Sequence, residues 1–489
     1  MFFYHRLIVL IFLLGPGSLL FSQKLIWGDE VKAGVKFLSP GVLGTMNERI
    51  YLYQQTEPQD AGDDIKAYIS YFDKELKLVK GKMIPIKGIT RKRVYLGIRL
   101  KEEGIFVFLA IKEPDSKEIN IIAEIYDLET LELAEKRNLK SFYSKKMPRV
   151  WDFDIFSSRK HPYICIVWYN QLDRRQLDYE VFFQVYDQHM NMVWEKSIER
   201  FRPGQAFEVQ NFHLSDNGDV LIGGFLYQGE IKNKLTPTNS PNYIYQGIAY
   251  RKEGQDSTLF SIDLGEKFIH DAICLKTSTG KILCGGFYNE VDPREVWKQI
   301  YLGTFFTIVD SQQVKQAAKT ADFEAITRYN EKGEVSIVNK NVGYSGYRIS
   351  RLIYTDKGQI HLIIKKGAPV TSIFTFDEQA ERTGALLFSH EKQYYVKTFV
   401  KQGAIYLIYN NKVGRSKGLK SGNWGTFIRK VEDQGTSLAD LAPAPQPASD
   451  QKTVTMPALK YQLSKDTWVV TRSINYSTHQ IGLLQLPIP

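Results

Sequence analysis

Apolar and polar positions alternate along this chain in short runs, and the runs are punctuated by glycine and aspartate. Leu214–Phe225 reads LSDNGDVLIGGF, and Lys276–Phe287 repeats it as KTSTGKILCGGF. Superposing Gly218 on Gly280 matches Val220 with Ile282, Leu221 with Leu283, the Gly223-Gly224 pair with Gly285-Gly286, and Phe225 with Phe287. Two further copies, YTDKGQIHLIIKK and FVKQGAIYLIYNN, place Gly358 and Gly403 at the same point. A glycine at that place supplies the positive φ of a tight hairpin, and a period of two predicts a strand with two distinct faces on either side of it. ERIYLYQQ, GIFVFLAIKE, PYICIVWYN and DTWVVTRSI read as the same strand behind altered turns.

A second marker falls between these hairpins. Alternating strands end in aspartate at Asp73, Asp127, Asp187, Asp310, Asp377 and Asp433, and a variant without the strict aspartate ends near Arg251. Aspartate at a strand end bonds its own backbone and starts a turn, so these residues are assigned to structure and not to chemistry. Each unit then holds an inner strand, a tight turn, a second strand, a long connection, the Asp-terminated third strand, a short turn and an outer strand. That is one four-stranded antiparallel β-propeller blade. The count favours eight blades, with seven as the alternative. KLIWGDEV near the start resembles MVWEKSI, the outer strand after Asp187, so the N-terminal strand is expected to complete the last blade and close the ring.

The first residues differ in kind. Arg6 precedes an apolar run from Leu7 to Leu14, which Gly15, Pro16 and Gly17 break, and small and polar residues follow to Ser22 and Gln23. This is the layout of a secretory signal peptide over residues 1–22, ahead of a single propeller domain over 23–489. The expected location is periplasmic or extracellular, the cell envelope included. No second apolar stretch is long enough to span a bilayer, so the mature chain carries no transmembrane segment. Two segments depart from the blade pattern. Ser437–Lys452 is rich in Ala and Pro and reads as a surface excursion, and DSQQVKQAAKTADFEAITRY, Asp310–Tyr329, is expected to add a short helix.

Composition refines this picture only a little. The 13% of aromatic residues fit a pleated, half-buried surface. Only Cys165, Cys274 and Cys284 are present. A two-residue Thr279-Gly280 turn would put Cys274 and Cys284 on opposite faces of their strands, and a three-residue loop would set them opposite one another. Three buried free thiols are the preferred reading.

In such a blade the second-to-third connections and the blade-to-blade connections share one face, and here they are the long ones. Long connections on a rigid scaffold commonly carry binding. Across 170–178, 228–242, 289–300, 365–370 and 410–423 there are twelve Lys or Arg against six Asp or Glu. The candidate binding residues are Arg174, Arg175, Lys232, Lys234, Arg294, Trp297, Lys412, Arg415, Lys417, Lys420 and Trp424. The whole chain carries +10, and losing Arg6 leaves about +9, which favours an anionic partner.

Catalytic signatures are missing. There is no GxSxG elbow, HExxH, P-loop or CxxC. His161, His213, His270 and His361 lie singly in or beside predicted strands. Asp152 and Asp154 fall on one face of a predicted inner strand, where they line the channel, but two carboxylates are too few for a calcium site. No catalytic residue, metal ligand or cofactor is assigned. The repeated hairpins resemble those of secreted bacterial β-propeller proteins over nearly all of the mature chain. WD, Kelch and NHL hallmarks do not recur, Trp151-Asp152 standing alone, so the resemblance implies a fold and no particular reaction. The sequence therefore predicts an exported, noncatalytic binding or scaffolding protein whose long-loop face meets a protein or an anionic glycan or other envelope component. Nucleic acid is not an expected partner. The competing reading is a polysaccharide-active hydrolase or lyase with carboxylates at the propeller channel.

Overall fold

The computed structural model describes residues 24–32, 41–55, 65–86, 93–112, 118–143, 153–158, 163–173, 178–198, 206–228, 242–252, 257–265, 267–277, 279–289, 300–309, 318–322, 326–329, 335–338, 344–345, 347–355, 357–366, 370–389, 396–401, 404–413, 423–432, 437–441, 458–463, 467–475 and 478–485. Among them there is no helix, and the strands form eight four-stranded antiparallel blades in a ring.

The second strands of blades one to eight are Arg49–Gln55, Gly104–Lys112, Ile164–Asp173, Val220–Tyr227, Ile282–Asn289, Ile360–Lys366, Ala404–Val413 and Thr467–Asn475. Every segment that the hairpin repeat identified is among them. The last blade runs, from outside to inside, Lys24–Lys32, Thr478–Gln485, Thr467–Asn475, Ala458–Gln462. Its outer strand therefore comes from the other end of the chain, with Trp27 opposite Gly482 and Val31 opposite His479. Eight blades, closed by the two chain ends, is the observed architecture.

Adjacent blades are held by aromatic and aliphatic side chains of the two facing sheets. Tyr51, Phe106, Phe108, Phe183, Tyr245, Phe268 and Phe287 are among the largest wholly buried side chains. Each stabilises by about 2–3 kcal/mol through area removed from water. Phe183 meets Trp194 edge-on at 5.1 Å within blade three, and Phe212 of blade four at 5.5 Å.

The first-to-second hairpins of blades four, five and six share one geometry. Ser215 N–H donates to Asp219 O, Thr277 N–H to Lys281 O and Thr355 N–H to Gln359 O, so each loop has three residues between its last bonded pair. The last loop residue is glycine at positive φ: Gly218 at 84°, Gly280 at 88° and Gly358 at 75°. This loop length corrects the expected cysteine chemistry. It sets Cys274 opposite Cys284, with Cα atoms 4.2 Å apart, and the two form a disulfide, leaving Cys165 as the buried free thiol. A directly opposed, closely spaced cross-strand pair is the separation that a disulfide spans.

The aspartate markers Asp73, Asp127, Asp187 and Asp377 act as the sequence implied, while Asp310 and Asp433 lie outside the described residues. Asp187 Oδ1 accepts from the N–H groups of His189 and Asn191, Asp377 Oδ1 from those of Gln379 and Glu381, and Asp73 Oδ1 from that of Lys77. These turns use an apolar residue where the first set uses glycine. Leu76, Leu131, Met190 and Ala380 hold φ between 56° and 65°. All four are buried, so the side chain that makes the left-handed conformation costly also fills the space between blades.

Of the segment expected to add a short helix, Asp310–Tyr329, residues 318–322 and 326–329 are described and form strands, and the others lie outside the described residues. Lys319–Asp322 is the outer strand of blade five, and Ile326–Tyr329 adds in parallel to Arg382–Ser389, the outer strand of blade six. The alternation KTAD and ITRY offered edges already waiting for partners, and open edges override a weak helical pattern. Ser437–Leu441, at the start of the Ala/Pro-rich stretch, is the outer strand of blade seven.

Candidate binding face and channel wall

All eight second strands run the same way through the ring, so their C-terminal ends open onto one face. The cation-rich connections there leave strands at Asp173, Tyr227, Asn289, Lys366 and Val413. The topology thus brings the five connections together on one side. Lys412 and Trp424 are cross-strand partners one step inside the loop of blade seven. Arg174, Arg175, Lys232, Lys234, Arg294, Trp297, Arg415, Lys417 and Lys420 lie outside the described residues.

The channel wall is built from the inner strands. Asp154 is on the inner strand of blade three, Phe153–Ser157, opposite Val167, while Asp152 lies outside the described residues. Tyr169 Oη donates to Asp154 Oδ2 at 3.3 Å, and burial pushes the carboxyl above its ordinary range against that bond. Blade four repeats the device. Glu208, opposite Phe225, accepts from Tyr227 Oη at 2.9 Å. In both, the tyrosine lies two residues beyond the carboxylate's cross-strand partner, on the same face. Sequence reasoning passed over this pair because it depends on strand register.

A second device joins blade to blade. Inner strands carry a β-bulge between Tyr95 and Gly97, Val209 and Asn211, Ile269 and Asp271, and Ile349 and Arg351. A bulge re-aims the residues next to it. Asn211 Oδ1 accepts the Cys274 N–H of blade five at 3.0 Å, Asp271 Oδ2 accepts the Ile349 N–H of blade six at 3.3 Å, and Arg351 Nη1 donates to Thr398 O of blade seven at 3.2 Å. Arg99, two residues past its bulge, donates to Ile155 O of blade three at 2.8 Å and to Ser157 Oγ at 3.2 Å. Burial pushes the Asp271 carboxyl up, with the Ile349 and Ala272 N–H groups and Arg348 opposing, so this carboxyl serves the wall.

The inner strands also differ in charge. Asp154, Glu208 and Asp271 sit on blades three to five, where the one inner-strand cation, Lys276, is paired with Asp219, while Arg93, Arg99 and Lys101 sit on blade two and Arg348 and Arg351 on blade six. The wall is therefore polarised across the ring, and an asymmetric field of this kind orients a dipolar or charged visitor. Among the described residues no group of three or more His, Cys, Asp or Glu is placed to hold a metal ion, and no helix is long and apolar enough to cross a membrane.

Lys101 closes the inner strand of blade two at its tight-turn end and is 5% exposed. Burial, and then Arg99, push its amine down to about 8, with Asp187 and Glu102 opposing. An unfolded lysine holds its proton to about 10.4, so between these values the unfolded chain binds more protons and stability rises with pH. Lys101→Met is therefore expected to stabilise the protein at pH 7 by about 1–2 kcal/mol, a gain that vanishes near pH 10. Denaturant unfolding at both pH values checks it. Equal stability of the two proteins at pH 7 would show that the amine keeps its water.

No protein-family model matches the sequence, and no curated protein matches it. Solved structures share the architecture. The WD40 domain of SCAP from fission yeast aligns over 95% of this chain and 98% of its own, at 9% identity and a TM-score of 0.43. The β-propeller domain of the Trilobed protease from Pyrococcus furiosus, described as having an open velcro topology, covers 85% and 99% at 10% identity and a TM-score of 0.36. An ulvan lyase, a polysaccharide lyase, covers 95% and 96% at 11% identity and a TM-score of 0.34. These likenesses extend to the fold alone.

Proposed function

We propose that this protein is an exported, noncatalytic binding or scaffolding propeller that recognises a protein or an anionic glycan of the cell envelope through its long-loop face. The observation that supports this reading is the convergence of the five cation-rich connections on one side of a rigid ring, with Lys412 and Trp424 adjacent at one of them. Lysine and tryptophan are residue types that suit an anionic saccharide, the one pairing with an acid group and the other stacking on a sugar ring. The leader at residues 1–22 and the Cys274–Cys284 disulfide support an oxidising, exported location.

The test is capture of envelope glycans and proteins on the immobilised chain, in parallel with a variant carrying Arg174→Glu, Arg175→Glu, Lys412→Glu and Arg415→Glu. Binding should weaken at least tenfold in the variant, and the salt dependence of the wild type should shallow. Retention of a partner at full affinity by the variant would rule out this face. A second reading has one observation in its favour, the Asp154 carboxyl pushed up beside Tyr169 at the channel. A saccharide product released by the wild type and not by Asp154→Asn would establish a hydrolase or lyase instead.

A further inference from the structure

The innermost strands border the channel, and their register sets the height of each residue along it. Ile164 and Ile360 open the second strands of blades three and six, each opposite the last residue of its third strand, Tyr186 and Phe376. Asp154 is opposite Val167 and Arg351 is opposite Ile363, each three residues further along the second strand. Asp154 and Arg351 therefore stand at one height. Three places apart in a ring of eight blades, they lie nearly across the channel from one another.

Both are open to solvent. An innermost strand has its second strand along one edge and a neighbouring blade over each face, so exposure in mid-strand comes from the channel. Asp154, Ser350 and Arg351 are exposed, and so is Gln210 of blade four. Gln210 and Ser350 are the residues that the bulges between Val209 and Asn211 and between Ile349 and Arg351 add to their strands. The charged groups are already oriented. Tyr169 Oη donates to Asp154 Oδ2 at 3.3 Å, and Arg351 Nη1 donates to Thr398 O at 3.2 Å. A carboxylate has about four acceptor sites, so one tyrosine leaves Asp154 able to take an ammonium group. The signs are also segregated around the ring. The inner strands of blades six to eight carry Arg348, Arg351, Lys397, Lys401 and Lys460 and no carboxylate, while Asp154 has Glu208 on the next blade. Asp271 of blade five tempers Arg348 and is held by the Ile349 N–H.

We propose that the channel binds a short peptide with both ends free, lying across it, its ammonium group on Asp154 and its carboxylate on Arg351. Opposite charges on opposite sides of one opening call for a ligand that carries both signs at its two ends. A simple anion would meet Arg351 and be repelled by Asp154 and Glu208, and a simple cation would do the reverse. Gln210 and Ser350 bring uncharged donors and acceptors to the peptide groups between the ends. A planar guanidinium pairs with a carboxylate through two parallel bonds, which fixes the direction of the peptide. The site uses no residue of the long connections, so it does not depend on the long-loop face.

The test titrates the full-length protein with the oligoglycines from diglycine to hexaglycine, followed by calorimetry. One saturable site is expected, with affinity greatest at the length that spans the two charges. Acetylating the amine of that peptide, or amidating its carboxylate, should each weaken binding about tenfold, the factor that one hydrogen bond to a charged group supplies. In Asp154→Asn, acetylation should weaken binding no further, while amidation still does so about tenfold. Arg351→Gln should show the reverse. The penalty kept at the unaltered end shows that the variant folds, and either variant is decisive by itself. Absence of saturable binding at every length, equal affinity of free and blocked peptides, or a variant that keeps the penalty at its altered end would each overturn the proposal.

Discussion

A chain that begins at residue 33 will lose most or all of the stability of the chain that begins at residue 24. Residues 24–32 are the outer strand of the last blade, and nothing else in the ring replaces them. Val31 is buried in one cluster with Ile481 and Val469 of blade eight and Ile50, Leu52, Phe72 and Leu76 of blade one. The strand also bonds sideways. Asp29 N–H donates to Leu76 O at 3.0 Å, Asp29 Oδ2 accepts the Leu78 N–H at 2.8 Å, and Gln480 Nε2 donates to Gly28 O at 2.6 Å. Deletion would expose apolar area on two blades and leave Thr478–Gln485 as an open edge. At about 1.5–3 kcal/mol for each buried apolar side chain, the loss exceeds about 5 kcal/mol, comparable with the whole stability of a typical fold. Thermal and urea melts of the two chains measure it, and a synthetic peptide of residues 24–32 added in trans should restore part of the loss. A shortened chain that melts cooperatively within about 1 kcal/mol of its parent would show that the ring does not need this closure.

The second large effect is acid destabilisation through His361. This side chain, on the second strand of blade six, is 3% exposed. Its Nδ1 lies 3.0 Å from Thr375 Oγ1, and its Nε2 has no hydrogen-bond partner among the described residues. Burial pushes the imidazole down to about 4. In the unfolded chain it would titrate near 6.5, so between pH 6.5 and 4 the unfolded state holds a proton that the folded state refuses. Stability is fully present above pH 6.5 and drains as pH falls toward 4, by up to about 3 kcal/mol. His213, which burial also pushes down, acts in the same direction. The Asp154 and Asp271 carboxyls, pushed up by burial, act in the opposite one. The difference between the wild type and His361→Asn cancels these other groups. The variant keeps a hydrogen-bonding amide and loses the titration, so its stability should fall less steeply from pH 6.5 to 4 by close to one proton's worth of slope. Parallel curves for the two proteins would place the acid sensitivity elsewhere.

The elements that sequence reasoning read well share a local cause. Gly218, Gly280 and Gly358 are where they are because a hairpin needs positive φ there, and the aspartates of the third strands bond their own turns. The resemblance of KLIWGDEV to MVWEKSI marked both as outer strands, because an outer strand has the same environment in every blade. The candidate face was legible only as topology. Strand direction placed the connections together, while the identity of what they meet depends on side chains in those connections.

The failures have a different cause. Cys274 and Cys284 were read as free because one residue of loop length decides whether they oppose or diverge, and a turn motif in the sequence is compatible with both lengths. Within Asp310–Tyr329, whose composition allows a short helix, the described residues Lys319–Asp322 and Ile326–Tyr329 are strands because the edges of blades five and six pair with them. Leu131 and Met190 at positive φ contradict local preference, and they are tolerated because their side chains pack between blades. The Asn211, Asp271 and Arg351 stitches and the common height of Asp154 and Arg351 relate residues of different sheets, for which a linear pattern carries no signal.

By itself, then, the order of residues determined most of the strands, their hairpins, the four-stranded unit and the closure of the ring, and it favoured eight blades over seven, since each rests on backbone geometry within a few neighbours or on a unit that recurs. Only the tertiary structure decided the disulfide, the bulged channel wall, the polarity of its charges and the height at which Asp154 and Arg351 stand in it. These depend on which faces meet and at what register, and packing between sheets is settled by volumes and unpaired polar atoms that no single strand contains.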